Sequence, residues 1–178
     1  MTIESPKFEK KTESEKEARI KDVEKQVNEI TDKLGEPIDP GIKEAVAGFN
    51  IWKIPTSQSC EGHLHKEGAS FPWVEIYTPE PKGWKESEEK KREWTIENLK
   101  HRKRTMEMLD EFYQDREMPF DARLSFSNIG IYGGFRIQST GAEIMPILSD
   151  KEQKEKLKLY RKEMNDFAKF LKDKYLKE

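Results

Sequence analysis

Cysteine is nearly absent from the 178 residues. Cys60 stands alone, so no disulfide can form within the chain and a reducing compartment is expected. Long apolar runs are missing as well. Nothing approaches the roughly 18 consecutive apolar residues of a membrane-spanning helix. The first residues, with Glu4, Lys7, Glu9, Lys10 and Lys11, offer no apolar stretch of signal-peptide type. A cytoplasmic protein with no membrane partner is therefore expected. Hydrophobic residues are few, at 34% of the chain, so the core is small for the length.

What is present still excludes a wholly disordered chain. Four Trp, nine Phe and fourteen Ile are too much apolar mass to leave in water. At this length one folded domain is the default. Residues 1–35 carry 17 formal charges and a single apolar stripe of Ile20, Val23, Val27, Ile30 and Leu34 at spacings of three and four, the pattern of one helix face. That helix starts either at Ser5 with Pro6 or at Ser14 with Glu17, and Gly35 ends it. The first dozen residues are expected to be mobile. A second helix opens at Asp39 as N-cap with Pro40 in its first turn, and carries Ile42, Val46, Phe49 and Trp52. A third begins near Ser87 and carries Trp94, Leu99, Met106, Leu109 and Tyr113, with Pro119 as its outer limit. The last opens on a Ser149–Glu152 capping box and keeps Leu157, Tyr160, Met164, Phe167, Leu171 and Tyr175 on one side.

Between the helices, residues 73–77, 124–127 and 135–138 are short, aromatic and β-branched and read as strands. Residues 53–58 supply a further candidate, confined by Pro55 to an edge or a strand beginning. Gly130, Gly133 and Gly134 make the turn of a hairpin between the last two strands. The fold class is α+β: a small, mainly antiparallel sheet of three to four strands covered by helices, preceded by a charged N-terminal helix. The expected division is residues 1–35 as an accessory helix and 36–178 as the α+β domain.

Residues 54–65 concentrate the single cysteine, His63 and His65 of the three histidines, and several hydroxyls. In one reading Cys60 is a nucleophile with His63 or His65 as its base and Glu61 beside them, although no group in the sequence orients the imidazole. A second makes Cys60, His63 and His65 ligands of a metal such as zinc, with a carboxylate such as Glu61 or Glu75 as fourth ligand or proton shuttle, or with an open coordination position. A third has Ser57, Ser59 and the backbone around Gly62 gripping an anion or nucleotide. The plain alternative is a small buried cysteine flanked by loop histidines.

The run Thr56-Ser57-Gln58-Ser59-Cys60-Glu61-Gly62-His63, followed by Pro72-Trp73-Val74-Glu75-Ile76, resembles a motif pair of a family of bacterial and phage-encoded proteins. It is more distantly similar to the Thr-Ser-Ser-Cys-Ser-Gly-Arg stretch of the wybutosine-forming tRNA methyltransferase family. Gly134-Phe135-Arg136-Ile137-Gln138-Ser139 is similar to a second segment of that family. The resemblance implies an S-adenosylmethionine-dependent enzyme acting on RNA, with Ser57, Ser59, Cys60 and Arg136 as its site residues. His63 stands where that family has Arg.

If Leu124, Phe126, Phe135 and Ile137 face the helices, Arg123, Ser125, Ser127, Arg136 and Gln138 share the opposite sheet face. Two arginines among hydroxyls can bind a phosphate or carboxylate, or they simply line a wet sheet face. Lys100-His101-Arg102-Lys103-Arg104 is the one basic run. On a helix it points all round, so it reads as a solvated surface rather than an RNA-binding patch. The contrasting functional class is an interaction protein that binds partners, or a second copy of itself, through its charged helices.

Overall fold

The computed structural model describes residues 12–32, 34–64 and 70–178. The first eleven residues, within the segment expected to be mobile, and His65 lie outside them. Helix α1 spans Glu13–Glu29 and starts at neither expected position. Thr12 is its N-cap, accepting the Glu15 N–H at 3.3 Å while the Glu15 carboxylate accepts the Thr12 N–H at 2.7 Å. The helix also stops before Gly35. Asp32 Oδ1 accepts the N–H groups of Leu34 and Glu36 at 2.7 and 2.9 Å, closing a turn in which Gly35 adopts φ +85°. A side-chain oxygen thereby competes with the helical ladder and wins. The apolar stripe is split as a result. Val23 and Val27 are 1% and 3% exposed, whereas Leu34 is 86% exposed.

A short 3-10 turn, Pro40–Ile42, leads into α2, Lys43–Ile51. Strands β1 (Thr56–Cys60) and β2 (Trp73–Ile76) follow, then α3 (Glu88–Tyr113), β3 (Leu124–Ile129), β4 (Gly134–Ser139) and α4 (Asp150–Lys177). The strands form one antiparallel sheet in the order β1-β2-β4-β3, so the chain is an α+β protein. The capping residues Ser87 and Ser149 stand where the sequence places them. The expected first strand is shifted: β1 begins after Pro55 and ends on Cys60, with an irregularity between Thr56 and Gln58. Cys60 therefore closes a strand instead of lying in a loop. No described helix is long and apolar enough to cross a membrane.

Val74, Ile76, Leu124, Phe135 and Ile137 turn to one side and join Val46, Phe49, Met164, Phe167 and Leu171 of α2 and α4 in the main core. Val23 and Val27 of α1 belong to the same cluster. In α3 the buried side differs from the expected stripe. Met108 and Phe112 face inward while Met106 is exposed, and Asn98, Arg104 and Thr105 are buried polar residues. Asn98 is satisfied by long-range partners, accepting from Thr78 N–H and Oγ1 at 2.8 and 2.9 Å and donating to Tyr132 O at 2.9 Å.

A second, smaller core of Phe71, Ala122, Met145 and Tyr160 sits beside Leu64 and Leu157. At its edge Asp121 accepts hydrogen bonds from Tyr160 Oη, at 2.6 Å, and from Lys156 Nζ. Burial opposes the charge on Asp121, but these two donors outweigh it and hold the carboxyl below its usual 3.8. The stability it contributes is present above that value and lost as pH falls through the lower folded value. Asp121→Asn should therefore flatten the acid limb of urea-denaturation stability plotted against pH below about pH 4. An acid limb identical to that of the wild type would remove Asp121 from the account.

Candidate functional site

Asp39 occupies the N-cap position of the Pro40–Ile42 turn, but its side chain makes no capping hydrogen bond. The backbone takes that task, with Ile42 N–H donating to Asp39 O at 3.1 Å. The carboxylate turns instead toward the end of β1. Its Oδ2 accepts the Glu61 N–H at 3.2 Å and lies 3.2 Å from His63 Nε2. The chain reverses through Gly62, at φ +87°, and His63 then pairs with Ser70 by two 2.9 Å backbone hydrogen bonds. The Gly62 N–H folds back onto Cys60 Sγ at 3.3 Å, and Ser70 Oγ lies 3.3 Å from the same sulfur.

Carboxylate, thiol and imidazole are thus gathered so that one ligand atom from each of Asp39, Cys60 and His63 lies within 4.8 Å of the others. All three residues are half-buried. The orienting group that the sequence did not supply is Asp39, 21 positions before Cys60. The local sequence offers one cue, Gly41, a poor residue for a helical first turn. A Cβ there would lie 2.6 Å from Glu61 Oε2, so the glycine admits a close approach between the turn and the loop.

Glu61, a candidate catalytic residue by sequence, has its carboxylate committed to structure. Oε2 accepts the Gly41 N–H at 2.6 Å, and Oε1 accepts Arg161 Nη2 at 3.0 Å. Arg161, on α4, also donates Nε to Glu61 O at 2.8 Å and Nη2 to Gly62 O at 2.7 Å. Nothing in the sequence signals this clamp, which ties the Cys60–His63 turn to α4.

The other candidates are distributed around the sheet. Ser57 Oγ donates to Glu75 Oε1 at 2.8 Å. Ser57 and Ser59 line a cleft of about 530 Å³ along β1, together with Ile30, Ile38, Asp39 and Trp73. Arg136 lies across Trp73, 3.8 Å from the ring centroid, and 3.4 Å from Glu75. Trp73 is the cross-strand partner of Cys60, so Arg136 neighbours the centre through one side chain. Arg123 does not join it. That residue lies just before β3, and its guanidinium stacks over Tyr113 of α3 at 4.5 Å.

The basic run on α3 is not a simple solvated face. Arg104 is buried over the Trp52 ring, and Arg102 lies over Phe126 and donates to Asn128 at 2.6 Å. Burial pushes the His101 imidazole down from its usual value. No protein-family model, curated protein or solved structure matches this chain.

Proposed function

We propose that this protein is an enzyme whose reactive centre is Asp39, Cys60 and His63 and whose small-molecule ligand lies in the cleft along β1. The observation that carries the reading is the diversion of Asp39 from its helix-capping task into the Cys60–His63 turn. Capping by aspartate is worth about 1 kcal/mol, and giving it up is expected where the carboxylate has other work. Asp39 also lines the cleft, so a ligand there reaches the centre through that carboxylate.

S-adenosylmethionine-dependent chemistry on RNA, implied by the motif resemblance, is the specific form of this proposal. The cleft suits such a ligand in two ways. Ile30, Ile38 and Trp73 supply apolar surface for a nucleobase, and the carboxylates of Asp32, Glu36 and Asp39 favour a positively charged sulfonium.

Alkylation reports on the centre cleanly because the chain has a single thiol. In protein dialysed against chelator, Cys60 should react with iodoacetamide in the folded state. Saturating S-adenosylmethionine should slow that reaction, and His63→Gln should slow it about tenfold at neutral pH by removing the imidazole gathered beside the sulfur as its base. Modification only after denaturation would make Cys60 a core residue and end the proposal. Reactivity without protection by S-adenosylmethionine would discard that ligand.

A further inference from the structure

We infer that Asp39, Cys60 and His63 bind one borderline-soft divalent metal ion of the zinc class through Oδ2, Sγ and Nε2. The inference deepens the proposed function and rests on the same centre, but it makes its own demand on geometry. Zinc bonds of 2.0–2.1 Å to oxygen and nitrogen, set at the tetrahedral angle, place those two atoms about 3.3 Å apart. His63 Nε2 and Asp39 Oδ2 are 3.2 Å apart. A charge-assisted hydrogen bond between the same groups would close to roughly 2.7–2.9 Å. The spacing therefore fits two ligands of one ion as well as it fits the hydrogen bond between them. Sulfur, with its longer bond of about 2.3 Å, should stand about 3.6 Å from each partner, and the whole group already lies within 4.8 Å.

The surroundings have the form of a ligand turn. Cys60 and His63 are separated by two residues in a tight reversal, at the spacing with which paired ligands commonly grip zinc. The Gly62 N–H points at Sγ, where it stabilises a bound thiolate. Arg161 and Gly41 hold the reversal from outside through the Glu61 side chain and the Glu61 and Gly62 carbonyls. These contacts leave Glu61 out of the ligand set and neutralise its charge. Thiolate, imidazole and a single carboxylate favour zinc, cobalt or iron(II) over magnesium or calcium, which select oxygen. Among the described residues three ligands converge, and a fourth position remains for water or a substrate atom, as in catalytic zinc sites. The set differs from the Cys60, His63 and His65 trio suggested by the sequence, with Asp39 entering from a distant turn.

Cobalt(II) is the probe, because its spectrum reports ligand type and geometry. Full-length protein stripped with chelator should bind one equivalent. It should then show a thiolate-to-cobalt charge-transfer band and the intense visible bands of a four-coordinate ion. Cys60→Ser should abolish the charge-transfer band. His63→Gln and Asp39→Asn should each weaken affinity at least about tenfold, with circular dichroism confirming that the variants are folded. Should Asp39→Asn fail to fold, Cys60→Ser and His63→Gln decide, since both keep the bond between Asp39 and the Glu61 N–H. Bound cobalt should also block iodoacetamide at Cys60. No stoichiometric binding, binding without the charge-transfer band, or binding indifferent to His63→Gln overturns the metal site. Any of these outcomes leaves the cleft ligand and the chelator-treated thiol assay as a separate question.

Discussion

Gly62→Ala is expected to lower stability by about 3 kcal/mol and to disable the centre at the same time. The backbone there has φ +87°, a conformation that costs an L-residue roughly 1–3 kcal/mol. Space is also lacking. A Cβ would stand 2.7 Å from Leu157 Cδ1, 2.9 Å from Pro72 Cδ and 3.0 Å from Pro72 N. Leu157 could rotate away, but the proline backbone cannot, because Phe71 beside it packs into the second core. Relief would have to come from the Glu61–Gly62 turn itself, which Arg161 grips through two carbonyls. For a chain of this length the cost corresponds to a melting temperature roughly 6–12 °C lower. The displaced turn would carry the Gly62 N–H off Cys60 Sγ and His63 off Asp39. Thermal melting and cobalt binding measured on the same sample check both parts. A variant that melts within about 2 °C of wild type and binds cobalt normally would show that the turn is far more pliable than its contacts imply.

The elements of this fold are legible in the sequence wherever the signal is local. Ser149 with Glu152, and Ser87 before a run of acids, mark helix starts because a cap needs only its own next three residues. The stripe Tyr160, Met164, Phe167, Leu171 and Tyr175 is legible because α4 presents one face to one core along most of its length. Helix α3 is harder to read because its partners change along its 26 residues. Its first turns meet Thr78 and Tyr132, its last turns meet the main core, and buried Asn98 is satisfied only by residues far along the chain.

The same division applies to the centre. The Cys60–His63 pair is visible because its members are neighbours in sequence, and Gly62 advertises a reversal. Asp39 and Arg161 are hidden because each has a sufficient local explanation, one as a helix cap and the other as a surface charge on an amphipathic helix. Only the tertiary fold, which sets the Pro40–Ile42 turn and α4 against the end of β1, shows that both side chains are spent elsewhere. The pairing of Arg123 with Arg136 fails for a related reason. Strand alternation applies only within a strand, and Arg123 precedes β3 by one residue.

Removing residues 1–35 should cost about 4–6 kcal/mol, far more than the loss of an accessory helix would suggest. Val23 and Val27 are almost completely buried in the same cluster as Phe49, Phe167 and Leu171, and Ile20 packs against it. Each fully buried aliphatic side chain contributes roughly 1.5–3 kcal/mol, and deletion would expose the facing surfaces of α2 and α4 as well. Polar ties add to the attachment: Lys16 Nζ donates to Leu176 O at 3.0 Å, Arg19 Nη2 to Asn50 O at 3.1 Å, and Lys172 Nζ to Glu24 Oε1 at 2.6 Å. Against a total of about 5–15 kcal/mol, a loss of this size leaves a protein that melts roughly 10–20 °C lower or is partly unfolded at room temperature. The deletion also removes Ile30, Thr31 and Asp32, one wall of the cleft, while leaving Asp39, Cys60 and His63 in the chain. A truncated protein that still folds should therefore bind cobalt but no longer protect Cys60 with a cleft ligand. Urea denaturation followed by tryptophan fluorescence measures the first effect, and the alkylation assay measures the second. Stability reduced by less than about 1 kcal/mol would instead make α1 an appendage to a domain that begins at residue 36.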